Sequence, residues 1–340
     1  MERRPFLALL ATAVAGCNAT SDPGTQTSRP TEAPTATTAP SDTATTTPTD
    51  TATSTATDAP TETPTSEERR AREAIAAVES TLGAVVEQYR GDAGETILAT
   101  DASYTGFGDR SVQAGVSEAT REIERAREAA VTERQAATVE RLATTRRFLA
   151  AAAEVQVALL GAYRHLQVAR DAFADTDAGA AGAAIDEMDT DRRIARGPYR
   201  TIVEETTAEA TAALPALDAS TYRGKREQFD AEMRAFGALR GPLGEFTNGV
   251  GKLESALALR RNGSAEQAER TARAAARRLD SASASLAAFA DGLDTPADSL
   301  VEPSRALSDL AAAKASGARD RFELSEEDET TGTAESRTRG

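Results

Sequence analysis

His165 is the only histidine in 340 residues and Cys17 the only cysteine, so the chain holds few groups that could do covalent chemistry. A nucleophile triad needs a base beside its serine or cysteine. A ferritin-like dimetal centre takes one histidine from each of two Glu-x-x-His pairs, one more than this chain has. His165 stands beside Leu166 on the flank of an apolar stripe, where packing with one nitrogen solvated is the expectation. Asp186, Glu187, Asp189 and Asp191 offer oxygens of the kind that hold hard cations. Their spacing lacks the glycine turn of a calcium loop, so a solvated acidic face is expected instead. No Gly-x-x-x-x-Gly-Lys-Ser/Thr loop, Gly-x-Ser-x-Gly elbow or His-Glu-x-x-His pair occurs. Neither a catalytic residue, a metal nor a cofactor is therefore expected, and the chain reads as non-enzymatic. The remaining unusual stretch is Gly91 to Arg110, which carries Tyr104-Thr105-Gly106-Phe107-Gly108. In a chain this poor in aromatics, Tyr104 and Phe107 are either a plug over the end of a bundle, the favoured expectation, or a contact surface for a partner.

Composition narrows the partners further. With 54 Asp plus Glu against 39 Lys plus Arg, the net charge of −15 repels phosphate backbones, so nucleic acid is not an expected partner. Lys225, Lys252 and Lys314 are the only lysines, and alanine supplies most of the apolar content. In these respects the composition resembles that of proteins from salt-loving archaea. A single cysteine excludes internal disulfides, zinc knuckles and iron–sulfur clusters. No apolar run of about twenty residues follows the N-terminus, so no membrane span is expected there.

Residues 1–17 have a charged start, an apolar stretch from Phe6 to Ala15 and small residues before a cleavage point, the parts of a secretory signal. Arg3-Arg4 followed by Phe6-Leu7 resembles the twin-arginine export consensus, and Val14-Ala15-Gly16-Cys17 resembles a lipobox, whose cysteine is alkylated by lipid. Residues 18–65 are Thr/Ala/Pro with scattered acids, too polar to offset chain entropy, so a disordered stalk is expected. At about 3.1 Å per residue it reaches on the order of 150 Å when extended. Its Thr/Ser density with proline resembles O-glycosylated stalks. Together, signal, lipobox, stalk and acidity resemble twin-arginine-exported lipoproteins of halophilic archaea. That resemblance implies a cell-surface location on the outer side of the plasma membrane, with the membrane engaged through lipid on Cys17.

The elements that would position anything else are helices. Ile75, Val78, Leu82, Val85 and Tyr89 alternate by three and four, predicting a helix over 66–90 ended by Gly91. Similar stripes run through Phe148, Val155, Leu159, Leu166 and Phe173, through Leu239, Phe246, Val250 and Leu257, and through Ala268, Ala275, Leu279, Leu286 and Leu293. Thr132 and Gln135 form a capping pattern that breaks 111–175 in two. Turns are expected at Asp175-Thr176-Asp177, with Asp177 as cap, at 214–218, at Asn262-Gly263-Ser264, with Ser264 as cap, and at 294–296. Arg196-Gly197-Pro198 and Arg240-Gly241-Pro242 echo each other inside apolar stripes and are read as kinks or restarts. Asn262 also heads a glycosylation sequon in an accessible turn. The expected fold is all-α, an elongated bundle of about six or seven helices over 66–324, followed by a disordered acidic tail over 325–340. The expected function is a lipid-anchored, non-enzymatic interaction or structural module of the envelope, with an envelope protein as partner. The alternative is a solute-binding lipoprotein serving a transporter.

Overall fold

The computed structural model describes residues 64–293 and 295–324. Arg3, Arg4, Phe6, Leu7, Cys17, nearly all of the expected stalk and the 325–340 tail lie outside the described residues. Within them the chain is all-α, with eight α-helices, two short 3-10 segments and no strand. The helices are α1 (Ser66–Arg90), α2 (Asp109–Ala129), α3 (Glu133–Ala174), α4 (Ala178–Glu205), the single turn α5 (Ala208–Thr211), α6 (Ala219–Arg261), α7 (Ala265–Asp291) and α8 (Val301–Phe322). The two 3-10 segments are Ile97–Ala99 and Thr295–Leu300. α1 packs along α2, α3 along α4, and α7 along both α6 and α8, while α4 lies against α6. α3, of 42 residues, and α6, of 43, are each about 63 Å long at ~1.5 Å per residue and form the backbone of the bundle.

Helix starts follow side-chain chemistry closely. Thr65 accepts from Glu68 N while Glu68 returns a bond to Thr65 N, closing a capping box at α1. Thr132 and Gln135 do the same at α3, so 111–175 is two helices, broken where the sequence predicts. Asp177 caps α4 through Ala180 N at 2.8 Å. Three expectations need correction. Ser264 stands at the start of α7, but its side chain makes no capping bond. The turn is closed instead by main-chain bonds from Gly263 N to Arg260 O and from Ser264 N to Leu259 O, with Gly263 at φ 79°. α4 ends at Glu205, before the expected turn at 214–218, because Thr206 is extended, its hydroxyl donates to Ile202 O at 2.6 Å, and the Tyr222 hydroxyl of α6 donates to Thr206 O at 3.1 Å. No restart occurs at Pro198 or Pro242, since α4 and α6 each run through their proline as one helix.

Alanine sets the spacing of the packed faces. Small side chains let helices approach closely, and Gly249 shows the limit, because a Cβ there would stand 2.8 Å from Leu279. The few large side chains fill the main core: Phe173 of α3 stacks on Phe246 of α6, with ring centres 3.9 Å apart. A second, alanine-dominated cluster joins the end of α6 to α7 and α8 through Leu253, Ala256, Ala272, Ala276 and Phe322.

Candidate functional site

The most unusual side chains of the bundle are charges in its interior. Thr221, Tyr222, Lys225, Gln228, Phe229, Glu232, Met233 and Phe236 all lie on the buried face of α6, a stripe of helical period that contains an ammonium and a carboxylate. Lys225 and Glu232 are both fully buried, as is Gln156 on the facing side of α3. Charge in such a place must be matched by hydrogen bonds, since desolvation without compensation costs several kcal/mol per ion, on the order of what holds a whole domain folded.

The match comes from the connection between α1 and α2, residues 91–108, which lies across the cluster as a strap. Lys225 Nζ donates to Thr100 O, to Gln156 Oε1 at 3.1 Å and to Gln228 Oε1 at 3.1 Å, three acceptors for three protons. Gln156 Nε2 donates to Asp101 O at 2.6 Å and Gln228 Nε2 to Leu98 O at 3.3 Å. Glu232 Oε1 accepts from Ala102 N at 3.0 Å. The Lys225 ammonium also lies 4.6 Å from the ring centre of Phe229 and 5.5 Å from that of Tyr89. Tyr89 Oη donates toward Ala152 O and Gln156 Oε1 at 3.3 and 3.4 Å, bringing α1 into the same network. One polar atom is left over: Glu232 Oε2 is buried without a partner.

Burial dominates the electrostatics. It pulls the Lys225 ammonium down to about 8, with the Glu232 and Asp101 charges opposing. It pushes the Glu232 carboxyl up to about 8, a rise that Lys225 and the Ala102 N–H oppose and that Asp101 and Asp298 reinforce. Tyr89 is raised well above its ordinary value, first by burial and then by Glu232.

The strap also explains the two rings singled out by sequence. Phe107 is half-buried against the main core, its ring edge-on to Tyr89 at 5.0 Å. Tyr104 Oη donates to Asp92 Oδ1 and accepts from Asp92 N at 3.2 Å, which folds the strap onto itself. Glycine is required on both sides of that ring. A Cβ at Gly91, whose φ is 52°, would stand 2.7 Å from Tyr104 Oη, and one at Gly106 would stand 2.6 Å from it. The glycines thus leave room for the tyrosine, whose contacts stay within the strap, while Phe107 packs against the core.

The other candidates are placed apart from this cluster. Asp189 is not part of a solvated face: it is buried and pairs with Arg192 at 2.6 Å, Arg193 at 3.3 Å and Arg240 at 3.4 Å, tying α4 to α6. Hydrogen bonding from Arg192 holds its carboxyl below the ordinary value. His165 Nε2 lies 3.5 Å from Asp191 Oδ2, whose carboxyl is raised by burial against the pull of His165. Asp186 and Glu187 are exposed, and among the described residues no group of three or more His, Cys, Asp or Glu side chains is placed to hold a metal. Asn262 is exposed at the α6–α7 turn. Among the described residues no helix is long and apolar enough to cross a membrane.

Lys225, Glu232, Gln156 and Gln228 were not singled out by sequence, though a signal existed. Lys225 is one of three lysines, and it and Glu232 fall in register with Tyr222, Phe229 and Phe236. A charge on an apolar stripe is the mark of a buried polar site. Compared with protein-family models, curated proteins and solved structures, the chain matches none of them.

Proposed function

We propose that this chain is a lipid-anchored cell-surface protein whose helical domain is a non-enzymatic interaction or structural module. The observation that carries the reading of the domain is the state of its buried ionisable pair. Lys225 and Glu232 are fully enclosed, and their hydrogen bonds are made to the strap and to neighbouring glutamines, so they face the chain's own main chain and not an open pocket. A solute receptor needs polar groups lining a ligand pocket, and here the best-placed ones are filled by main-chain atoms of the strap. The address rests on Arg3-Arg4, Phe6-Leu7 and Cys17, ahead of a Thr/Pro stretch that would hold the domain clear of the membrane surface. The acidic, lysine-poor composition supports a concentrated-salt setting for it.

Cys17→Ser tests the address. The variant is expected to lose the lipid and either appear in the medium or retain an uncleaved N-terminus, as read by fractionation and intact mass. Unchanged membrane association with unchanged mass contradicts the lipid anchor.

A further inference from the structure

We propose that the cleft between α3 and α6 beneath the strap is a peptide main-chain-binding site, occupied in this structure by the chain's own residues 97–102 and able to take a segment of a partner protein in their place. The inference rests on reading the domain as an interaction module and supplies its ligand class.

The contacts are of an unusual kind. Gln228, Lys225, Gln156 and Glu232 meet Leu98 O, Thr100 O, Asp101 O and Ala102 N in turn, and none of these bonds goes to a side chain of the strap. All four side chains are at least nine-tenths buried and are carried by two long helices, so the set of donors and acceptor is held in place from below. Such a site reads the path of a main chain and asks of its side chains only that they fit. Ile97, Thr100 and Ala102 are fully buried, which defines the ligand: an aliphatic residue followed at the third and fifth positions by small ones. The occupant in place also leaves the site incomplete, because Glu232 Oε2 is buried and has no hydrogen-bond partner. Burial favours the protonated acid and Oε1 already accepts from Ala102 N, so Oε2 carries the proton, and a guest with one further carbonyl in that direction makes a bond that the strap does not.

The strap is constructed to leave as a unit. Gly91 and Gly94 stand at one end and Gly106 and Gly108 at the other, and the Tyr104–Asp92 bond closes the segment on itself rather than onto the helices. Beyond those four contacts, its ties to the helices include the Phe107 ring on Tyr89, a 3.4 Å bond from Thr100 Oγ1 to Tyr89 O, bonds from Arg90 Nη1 to Gly94 O and Glu95 O at 3.3 and 3.2 Å, and the burial of Ile97 and Ala102 in the main core.

A labelled synthetic peptide of residues 96–104, added to the full chain, tests this by fluorescence anisotropy. In the wild type the tethered strap competes at an effective concentration of about millimolar, so binding is weak. Phe107→Ala is expected to loosen the strap and to bind the peptide at least about tenfold more tightly, in the manner of a released intramolecular competitor. Methylating the amide nitrogen at the peptide's Ala102 position is expected to abolish binding, as is adding Gln156→Leu to Phe107→Ala. Thr100→Val, which removes the bond from Thr100 Oγ1 to Tyr89 O, serves as a second loosened variant if Phe107→Ala loses helicity. Absence of saturable binding to a loosened, helical variant overturns the proposal, and so does equal binding of the N-methylated peptide. Loss of helicity in both variants overturns it too, because a strap the fold cannot release is not open to exchange. Peptide binding does not depend on Cys17, so this proposal and the lipid anchor fail separately.

Discussion

Lys225→Met is expected to lower the unfolding free energy of the domain by several kcal/mol, because it leaves three buried acceptors without their donor at about 1–3 kcal/mol each. Methionine nearly preserves the volume, so the loss comes from polar groups rather than from a cavity. Thr100 O, Gln156 Oε1 and Gln228 Oε1 each lose a donor, and Glu232 loses the one cation that opposes its desolvation. Domains of this kind are stable by about 5–15 kcal/mol in total, so the variant remains folded but with a much lower urea midpoint. A loss below about 1 kcal/mol, no more than one ordinary hydrogen bond, contradicts the assigned role of the ammonium.

The second large effect is on pH dependence, and its sign follows from the direction of each shift. Glu232 has its folded value raised from 4.5 to about 8, so the folded state holds its proton more tightly. Its contribution is full below 4.5 and is lost as pH rises toward 8. Lys225 is lowered from 10.5 to about 8, so its contribution is full above 10.5 and is lost as pH falls toward 8. The pair therefore makes the domain least stable near pH 8, with a slope of at most about 1.4 kcal/mol per pH unit from one proton on either side. Glu232→Gln keeps an acceptor for Ala102 N and cannot ionise. Chemical denaturation of that variant from pH 5 to 8 is expected to show a flattened profile, and an unaltered slope assigns the pH dependence to other groups.

Much of the scaffold was legible because it is written in local chemistry. The stripe from Ile75 to Tyr89 and the Thr132–Gln135 box fix α1 and the α2–α3 break from adjacent residues alone. The early end of α4 was not legible, because Thr206, whose hydroxyl caps Ile202 O, is held extended by Tyr222 from another helix. Pro198 and Pro242 admit either a kink or a restart by intrinsic propensity, and the restart does not occur because tertiary packing outweighs one lost bond. The rings of Tyr104 and Phe107 drew the eye to the right segment, but the residues that hold that segment are far away in sequence. Gln156 and Lys225 meet the strap across separations of 55 and 125 residues, and nothing local to either announces a partner. Asp189 differs, since its two shortest pairs, Arg192 and Arg193, lie three and four residues on, and only Arg240 reaches it from α6.

The claim that joins these observations is that a buried charge cluster holds the strap's main chain, and amide hydrogen exchange at Ala102 tests it most directly. Its N–H donates to Glu232 and directly follows the carbonyls of Leu98, Thr100 and Asp101 that Lys225 and the two glutamines hold. In the wild type it is expected to be strongly protected. In Lys225→Met its exchange is expected to rise by at least about a hundredfold, while amides in the middle of α3, such as that of Leu159, change far less, as local opening requires. Exchange of the wild-type Ala102 amide at the rate of a free peptide, or an equal rise at Ala102 and Leu159, contradicts it.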